Sequence, residues 1–221
     1  MKKIGIVVAM TKEMYPFIES LSSVEKITLG VRTVYKFSIG ENQLYMTQSG
    51  VGQIAAASAT QFLIDKFEVD MILNFGLAGG LRKGFKACDC VIVERLVHYD
   101  FDTSQMDGTP VGRYLQYDDI YIYTDREMCN EISEKCGLEK VTCASGDKFV
   151  DLPENRRRLN TDFAADICEM ESAAVLMTAD FNKIPALIVK TISDMEEVSY
   201  IETAERACRE FVSVINKVLD A

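Results

Sequence analysis

The chain opens with the run Lys3-Ile4-Gly5-Ile6-Val7-Val8-Ala9-Met10, which is nearly all apolar and rich in β-branched side chains. Such a continuous run predicts a strand buried on both faces, as in sheets that are covered by helices on both sides. Thr11 then offers an N-cap for a helix over residues 12–21, in which Pro16 is an unfavourable residue. A buried strand followed directly by a helix indicates an α/β protein.

The rest of the chain repeats this alternation of strands and helices. Strands are predicted over residues 26–29, 33–39, 43–48, 71–75, 88–97, 140–144 and 186–192, with a short extended segment over 165–168. Helices are predicted over 53–67, 124–136, 172–182 and 203–219, with a further helix from Leu152. The sequence contains no internal repeat, linker or low-complexity stretch. We therefore expect a single domain over residues 1–221, with a central mixed β-sheet flanked by helices.

The composition excludes several functional classes. The 221 residues include 34 Asp and Glu against 24 Lys and Arg, and the resulting net charge of -10 argues against nucleic-acid or anionic-membrane binding. The apolar runs are too short to span a membrane. Seven cysteines without a CxxC pair indicate reduced thiols and a cytoplasmic location. His98 is the only histidine, so we expect no metal, no cofactor and catalysis by carboxylates.

Acidic residues stand where predicted strands end and helices begin. Glu171 lies in Cys168-Glu169-Met170-Glu171-Ser172-Ala173-Ala174, Asp194 follows the apolar run 186–192 and Ser193, and Glu13 falls in the first turn of the first helix. Open α/β sheets bind ligands outside their strand ends, so these acids are candidates for holding a polar ligand. Glu13 and Glu171 have a second explanation, a favourable contact with the helix dipole.

Glycine-rich and aromatic segments lie beside the same predicted strand ends. Gly50-Val51-Gly52 with residues 53–55 matches a dinucleotide fingerprint, but the expected ribose-binding acid is absent, so it indicates a tight turn that touches a ligand. Residues 76–80 predict a turn, which forms either an anion nest or a packing contact. Phe149 stacks on a planar ligand or joins the core. Residues 156–158, three arginines, predict a solvated helix face.

Six motifs in register resemble the methylthioadenosine/S-adenosylhomocysteine nucleosidases of the purine nucleoside phosphorylase superfamily, over nearly the whole chain. They are Ile4-Gly5-Ile6 through Met10 to Glu13, Ser49-Gly50-Val51-Gly52, Asn74 through Gly76 to Gly80, Ser145-Gly146-Asp147 with Phe149, Glu169-Met170-Glu171, and Ile192-Ser193-Asp194. The resemblance implies a three-layer nucleoside phosphorylase-like sandwich. It also implies a homodimeric hydrolase that cleaves the N-glycosidic bond of a 5'-modified adenosine, such as methylthioadenosine, S-adenosylhomocysteine or 5'-deoxyadenosine.

The resemblance further implies a role for each matching residue. Asp194 would protonate adenine N7, with Ser193 orienting it, while Glu13 would activate the attacking water and Glu171 would bind the ribose hydroxyls. Glycoside cleavage typically uses one carboxylic acid and one base, which fits these residue types. The implied substrate-binding residues are Met10, Val51, Leu77, Phe149, Val150, Met170, Ser193 and Tyr200. Glu169 receives no role.

Two departures from the family pattern leave alternatives open. Leu77 stands where many relatives carry a hydroxyl residue, which weakens the alternative of a phosphate-dependent phosphorylase. The segment 99–112 is shorter than the family loop that enters the partner's 5' pocket, and Phe101 or Met106 would have to replace that contact. The third hypothesis is a nucleoside-binding protein without turnover, in which a base at Glu13 would have no function.

Overall fold

A computed structural model describes residues 1–194 and the backbone of 200–220, where the side chains of 200–203, 210, 211, 213 and 220 are not described. The strands are β1 (Lys3–Val8), β2 (Glu25–Leu29), β3 (Arg32–Ile39), β4 (Asn42–Gln48), β5 (Met71–Gly80), β6 (Cys90–His98), β7 (Ile122–Tyr123), β8 (Glu139–Ser145), β9 (Ile167–Glu169) and β10 (Ala186–Asp194). The helices are α1 (Thr11–Ser20), α2 (Gln53–Phe67), α3 (Ser104–Asp107), α4 (Arg126–Cys136), α5 (Pro153–Phe163), α6 (Ser172–Phe181) and α7 (Tyr200–Asp220). The predicted alternation of strands and helices is confirmed.

The sheet is mixed, and part of it closes on itself. Strands β4, β1, β5 and β10 are parallel neighbours, while β2 and β3 extend the β4 edge as an antiparallel meander. Beyond β10 the pairing continues through β6, β8 and β9, and β9 returns to pair with β5. This closure brings the ends of β8 and β9 to the edge where β1 and β10 end.

Helices cover both faces of the sheet, as predicted. On one face Val7 and Ile72 pack in a cluster with side chains of α2 and α6, including Ala59 and Val175. On the other face Ile6 of β1 packs in a cluster with side chains of α1, α4 and α7. Each such buried aliphatic side chain contributes roughly 1.5–3 kcal/mol to stability, so β1 is stabilised from both sides. Among the described helices, none is long and apolar enough to cross a membrane.

The predicted N-cap of the first helix is wrong by one residue. Met10 is the N-cap, and its backbone N–H donates to Glu13 Oε2 over 2.8 Å. Thr11 instead begins the helix and donates its hydroxyl to Gln48 Oε1 over 2.9 Å. The reason is that the carboxylate of Glu13 reaches back and satisfies the backbone donor at the helix start.

The predicted glycine turn at 76–80 is also wrong, because β5 continues to Gly80. Residues 76–79 pair with β10 on one side, and Gly79 and Gly80 pair with β9 on the other. Strand pairing holds this segment in an extended conformation, and the Leu77 N–H donates to the Glu13 carboxylate. Glycine at position 76 allows a close approach, since a Cβ there would lie 3.1 Å from Glu13 Oε1.

Candidate active site

A cavity of about 420 Å³ opens at the edge where β1 and β10 end. This volume suits a small-molecule ligand. Its walls contain ten of the predicted site residues: Met10, Glu13, Val51, Leu77, Phe149, Val150, Met170, Glu171, Ser193 and Asp194. Tyr200, the remaining predicted residue, has a side chain outside the described part of the chain. The cavity therefore brings together acids that are up to 181 residues apart in the sequence, from Glu13 to Asp194.

Glu13 is held rigidly at one wall of the cavity. Its side chain is buried, and its two oxygens accept hydrogen bonds from the backbone N–H groups of Met10 and Leu77, at 2.8 and 2.9 Å. Burial raises the pKa of Glu13, although these two hydrogen bonds and the charge of Lys190 act in the opposite direction. A raised pKa makes a carboxylate a stronger base near neutral pH.

Glu171 is the N-cap residue of α6 and lies among other charged groups. Its Oε1 accepts from the backbone N–H of Gly52 over 2.9 Å, which joins it to the turn before α2. Burial, and secondarily the charge of Glu169, raise the pKa of Glu171 to about 7. The tight turn predicted at residues 50–52 is confirmed, with Gly50 and Gly52 at φ angles of 89° and 98° that favour glycine.

Glu169 forms a buried ion pair that the sequence analysis missed. Lys190 Nζ lies 2.9 Å from Glu169 Oε2, and both side chains are 2% exposed. Glu169 also accepts hydrogen bonds from the N–H groups of Glu171 and Ser172 and from the Ser172 hydroxyl. Burial by itself raises the pKa of Glu169, but the charge of Lys190 and the hydrogen bonds bring it below its usual value. Glu169 is therefore a fixed anion that orients the start of α6.

Asp194 ends β10 and is held on both sides of its carboxylate. Ser193 Oγ donates to Asp194 Oδ1 over 2.6 Å, and Arg156 of α5 donates to Oδ2. Arg156 is only 5% exposed, so the prediction that residues 156–158 form a solvated face is wrong at this position. The reason is helical spacing: Arg156 lies on the same face as the buried Leu159, whereas Arg157 and Arg158 are exposed.

Phe149 lies on the cavity wall rather than in the core, with 60% of its surface exposed. The preceding segment is fixed by Asp147, whose Oδ1 accepts from the N–H of Gln53 over 2.7 Å and whose own N–H donates to Asp100. An aromatic face held beside the cavity is available to a planar ligand. Cys168 is another wall residue, and burial raises the pKa of its thiol to about 12, which disfavours the thiolate form that a nucleophile needs.

The segment 99–112 uses its two candidate contact residues differently. Phe101 stacks on Tyr114, with ring centroids 3.9 Å apart and planes 9° apart, so it is committed to its own chain. Met106 is 80% exposed on α3. Of the two, Met106 is the side chain that the structure leaves available to a second molecule.

The sequence contains a signal for two of these charged residues, Lys190 and Arg156, that the prediction does not use. Lys190 interrupts an apolar strand that is buried along its whole length, and a charge there requires a partner. Arg156 falls on the apolar stripe of α5 with Leu159 and Phe163. The hydrogen bond from the Gly52 N–H to Glu171 joins residues 119 positions apart, so no local pattern in the sequence predicts it.

Glu13, Glu171 and Asp194 thus lie around one ligand-sized cavity at the edge of a helix-covered mixed sheet, and paired carboxylates are the groups that glycosidic bond cleavage typically uses. The chain belongs to the phosphorylase superfamily, whose sequence model matches residues 3–221. This confirms the predicted family and the predicted fold class.

Named relatives agree with this assignment. The chain is 31% identical over 199 residues to the 5'-methylthioadenosine/S-adenosylhomocysteine nucleosidase of Shewanella denitrificans, covering 87% of this chain and 86% of the relative. It is 29% identical to the aminodeoxyfutalosine nucleosidase of Campylobacter jejuni, covering 88% and 86%. The structure superposes with a TM-score of 0.91 on 5'-methylthioadenosine/S-adenosylhomocysteine nucleosidase from Helicobacter pylori with butyl-thio-DADMe-Immucillin-A, at 29% identity and with coverage of 100% and 98%.

Proposed function

We propose that this protein is an N-glycosyl hydrolase that cleaves 5'-modified adenosines to adenine and the modified ribose. The observation that carries the proposal is the meeting of Glu13, Glu171 and Asp194 in one cavity, on three different elements of the fold. Relatives named as nucleosidases support the same reaction class. Methylthioadenosine and S-adenosylhomocysteine are the substrates that the name of the Shewanella relative suggests.

The three acids divide the reaction between them. Asp194 gives a proton to N7 of the purine, so that the base leaves with the electron pair of the glycosidic bond. Glu13 takes a proton from the water that attacks C1'. Glu171 accepts hydrogen bonds from the ribose hydroxyls, and its negative charge stabilises the positive charge that develops on the sugar. Positioned acids and bases each contribute roughly 10²–10⁴-fold to the rate.

The remaining wall residues account for binding. Phe149 stacks on the purine, and the backbone of Val150 hydrogen-bonds its edge. Met170 packs under the sugar, while Met10 and Val51 line the ribose and its 5' side. The role of Tyr200 on the 5' side stays a prediction, because its side chain is not described.

Phosphorolysis on the same fold is the second candidate, and the pairing of the two buried cations beside the acids favours hydrolysis over it. Lys190 and Arg156, two cations beside the candidate acids, are both paired with carboxylates. Leu77 contributes an apolar side chain to the wall where a hydroxyl would help to bind phosphate. Lys12 and Lys148 also line the cavity, and they are the cations through which phosphate would have to be recognised.

The experiment that tests the function is adenine release from methylthioadenosine with and without phosphate, with identification of the sugar product. Hydrolysis predicts equal rates and free methylthioribose in both conditions. Strict phosphate dependence with a sugar 1-phosphate product would establish the phosphorylase instead. Ligand binding without adenine release, even at high protein concentration, would establish the binding protein without turnover.

Three finer features belong to the same proposal. The chain folds as one domain over residues 1–221 and forms a homodimer, in which the exposed side chains of Val51, Ile54 and Met106 meet the second copy. Sedimentation of the wild type and of Ile54→Glu tests this, and a monomeric wild type contradicts it.

All seven cysteines are free thiols, which supports a cytoplasmic location.

A further inference from the structure

Arg156 is a buried cation beside Asp194, and it has no role in the reaction proposed above. The guanidinium is 5% exposed, donates to Asp194 Oδ2, and has a second donor 3.4 Å from the carbonyl oxygen of Gly80. The residues that line the cavity in the described part of the chain do not include Arg156. It therefore contacts Asp194 from the side away from the ligand.

The contact constrains the orientation of the Asp194 carboxylate. Ser193 holds Oδ1 and Arg156 holds Oδ2, so that rotation of the carboxylate would break two hydrogen bonds at once. Charge-assisted hydrogen bonds from a guanidinium are both strong and directional. Gly79 leaves room for this arrangement, because a Cβ there would lie 3.2 Å from Asp194 Oδ2 and 3.5 Å from Arg156 Nη1.

The contact also matters for the charge that forms during the reaction. When a neutral Asp194 carboxyl gives its proton to the purine, it becomes a carboxylate in a site that is 4% exposed. An unpaired anion is costly in such surroundings, whereas a guanidinium already in place stabilises it without reorganisation. Over one turnover the proton of Asp194 leaves with the purine, the proton that Glu13 takes from water is released to solvent, and Asp194 recovers a proton from solvent.

We infer that Arg156 is a positioning residue, which orients Asp194 and stabilises the carboxylate produced when the purine is protonated. This inference rests on the proposed function, in which Asp194 is the acid. It implies that Arg156 matters only for leaving groups that need a proton. A residue that merely supports the fold of α5 would affect every substrate equally.

The test compares two substrates that share the methylthioribosyl group. Methylthioadenosine has a leaving group that needs protonation, whereas the 4-nitrophenyl riboside releases a stable anion without it. For Arg156→Gln we expect kcat on methylthioadenosine to fall by about 10- to 100-fold, a part of the roughly 10²–10⁴-fold that a general acid supplies. We expect kcat on the nitrophenyl substrate to change by less than about 3-fold, because no acid is used there.

Two further variants complete the comparison. Arg158→Gln is the matched control on the same helix, with a side chain that is 77% exposed, and it should leave both rates unchanged. Arg156→Lys keeps the charge and should recover part of the loss on methylthioadenosine. If Arg156→Gln does not fold, the same ratio of the two rates measured with Arg156→Lys decides the question.

The outcomes separate this inference from the proposed function. Equal losses on both substrates, or no loss on methylthioadenosine, would overturn the positioning role of Arg156. A wild-type protein that releases no adenine from methylthioadenosine would instead overturn the function itself.

Discussion

Replacing Glu171 by Gln should change how the stability of the protein depends on pH. The substitution keeps the size of the side chain and an acceptor for the Gly52 N–H, which lies 2.9 Å from Glu171 Oε1, but it removes a buried negative charge. Glu171 is 6% exposed, and burial together with the nearby Glu169 carboxylate raises its pKa from 4.5 to about 7. The folded protein therefore binds a proton at pH values where the unfolded chain has lost it.

The sign and size of the effect follow from that difference. Between pH 4.5 and 7 the folded state holds more protons at this position, so the free energy of unfolding falls as the pH rises. A pKa difference of about 2.5 units corresponds to about 3 kcal/mol, which is fully present as destabilisation above pH 7 and absent below pH 4.5. Glu171→Gln should therefore gain about 3 kcal/mol relative to the wild type between pH 4.5 and pH 8.

Chemical denaturation of both proteins at several pH values in this range measures the effect. The difference between the variant and the wild type removes the pH dependence that both proteins share. Glu154→Gln, at an exposed position of α5, is the control. It measures how replacing an exposed Glu by Gln changes the pH dependence of the free energy of unfolding. Parallel curves for wild type and Glu171→Gln, or a difference that shrinks as the pH rises, would refute the argument that Glu171 is a destabilised buried anion.

Three further predictions test the acids and the buried ion pair. Asp194→Asn should lower kcat on methylthioadenosine by about 10²–10⁴-fold, because it removes the proton for the purine; near-normal kcat with unchanged folding would show that Asp194 is not the acid. Glu13→Gln should also lower kcat by at least about 100-fold by removing the base, while calorimetry still detects substrate binding; a variant that loses binding but keeps kcat would place Glu13 in recognition instead. Lys190→Met should reduce the free energy of unfolding by about 3–5 kcal/mol, because it leaves Glu169 as an unpaired buried charge. Adding Glu169→Gln should recover part of that loss, and a double variant no more stable than Lys190→Met alone would contradict a direct coupling.

The α/β class and the candidate acids could be predicted from the sequence because their signals are local, whereas the other residues of the cavity follow from the resemblance of the motifs to a known family. The β-branched run of β1 predicts a strand buried on both faces, and Ile4–Val8 are all buried. Glu13 and Asp194 follow β1 and β10, which are both parallel to β5, so these two acids converge at a common edge of the sheet. Glu171 reaches the same cavity because β9 pairs antiparallel with the end of β5. The error at Thr11 arose because the Glu13 side chain, three residues along the chain, satisfies the backbone N–H of Met10. The error at residues 76–80 arose because the distant strands β9 and β10 pair with this segment.

Local patterns thus establish the fold class and the positions of Glu13, Glu171 and Asp194, whereas the charge environment of these acids depends on the tertiary structure. The pairing of Arg156 with Asp194 needs α5 to pack against the end of β10, and the pKa of Glu171 depends on burial beside Glu169. Both conditions arise when β9 and β10 pair with β5 and close the sheet. Electrostatic energies depend on distance and on exclusion of water, and neither quantity is defined until residues far apart in the chain have been brought together.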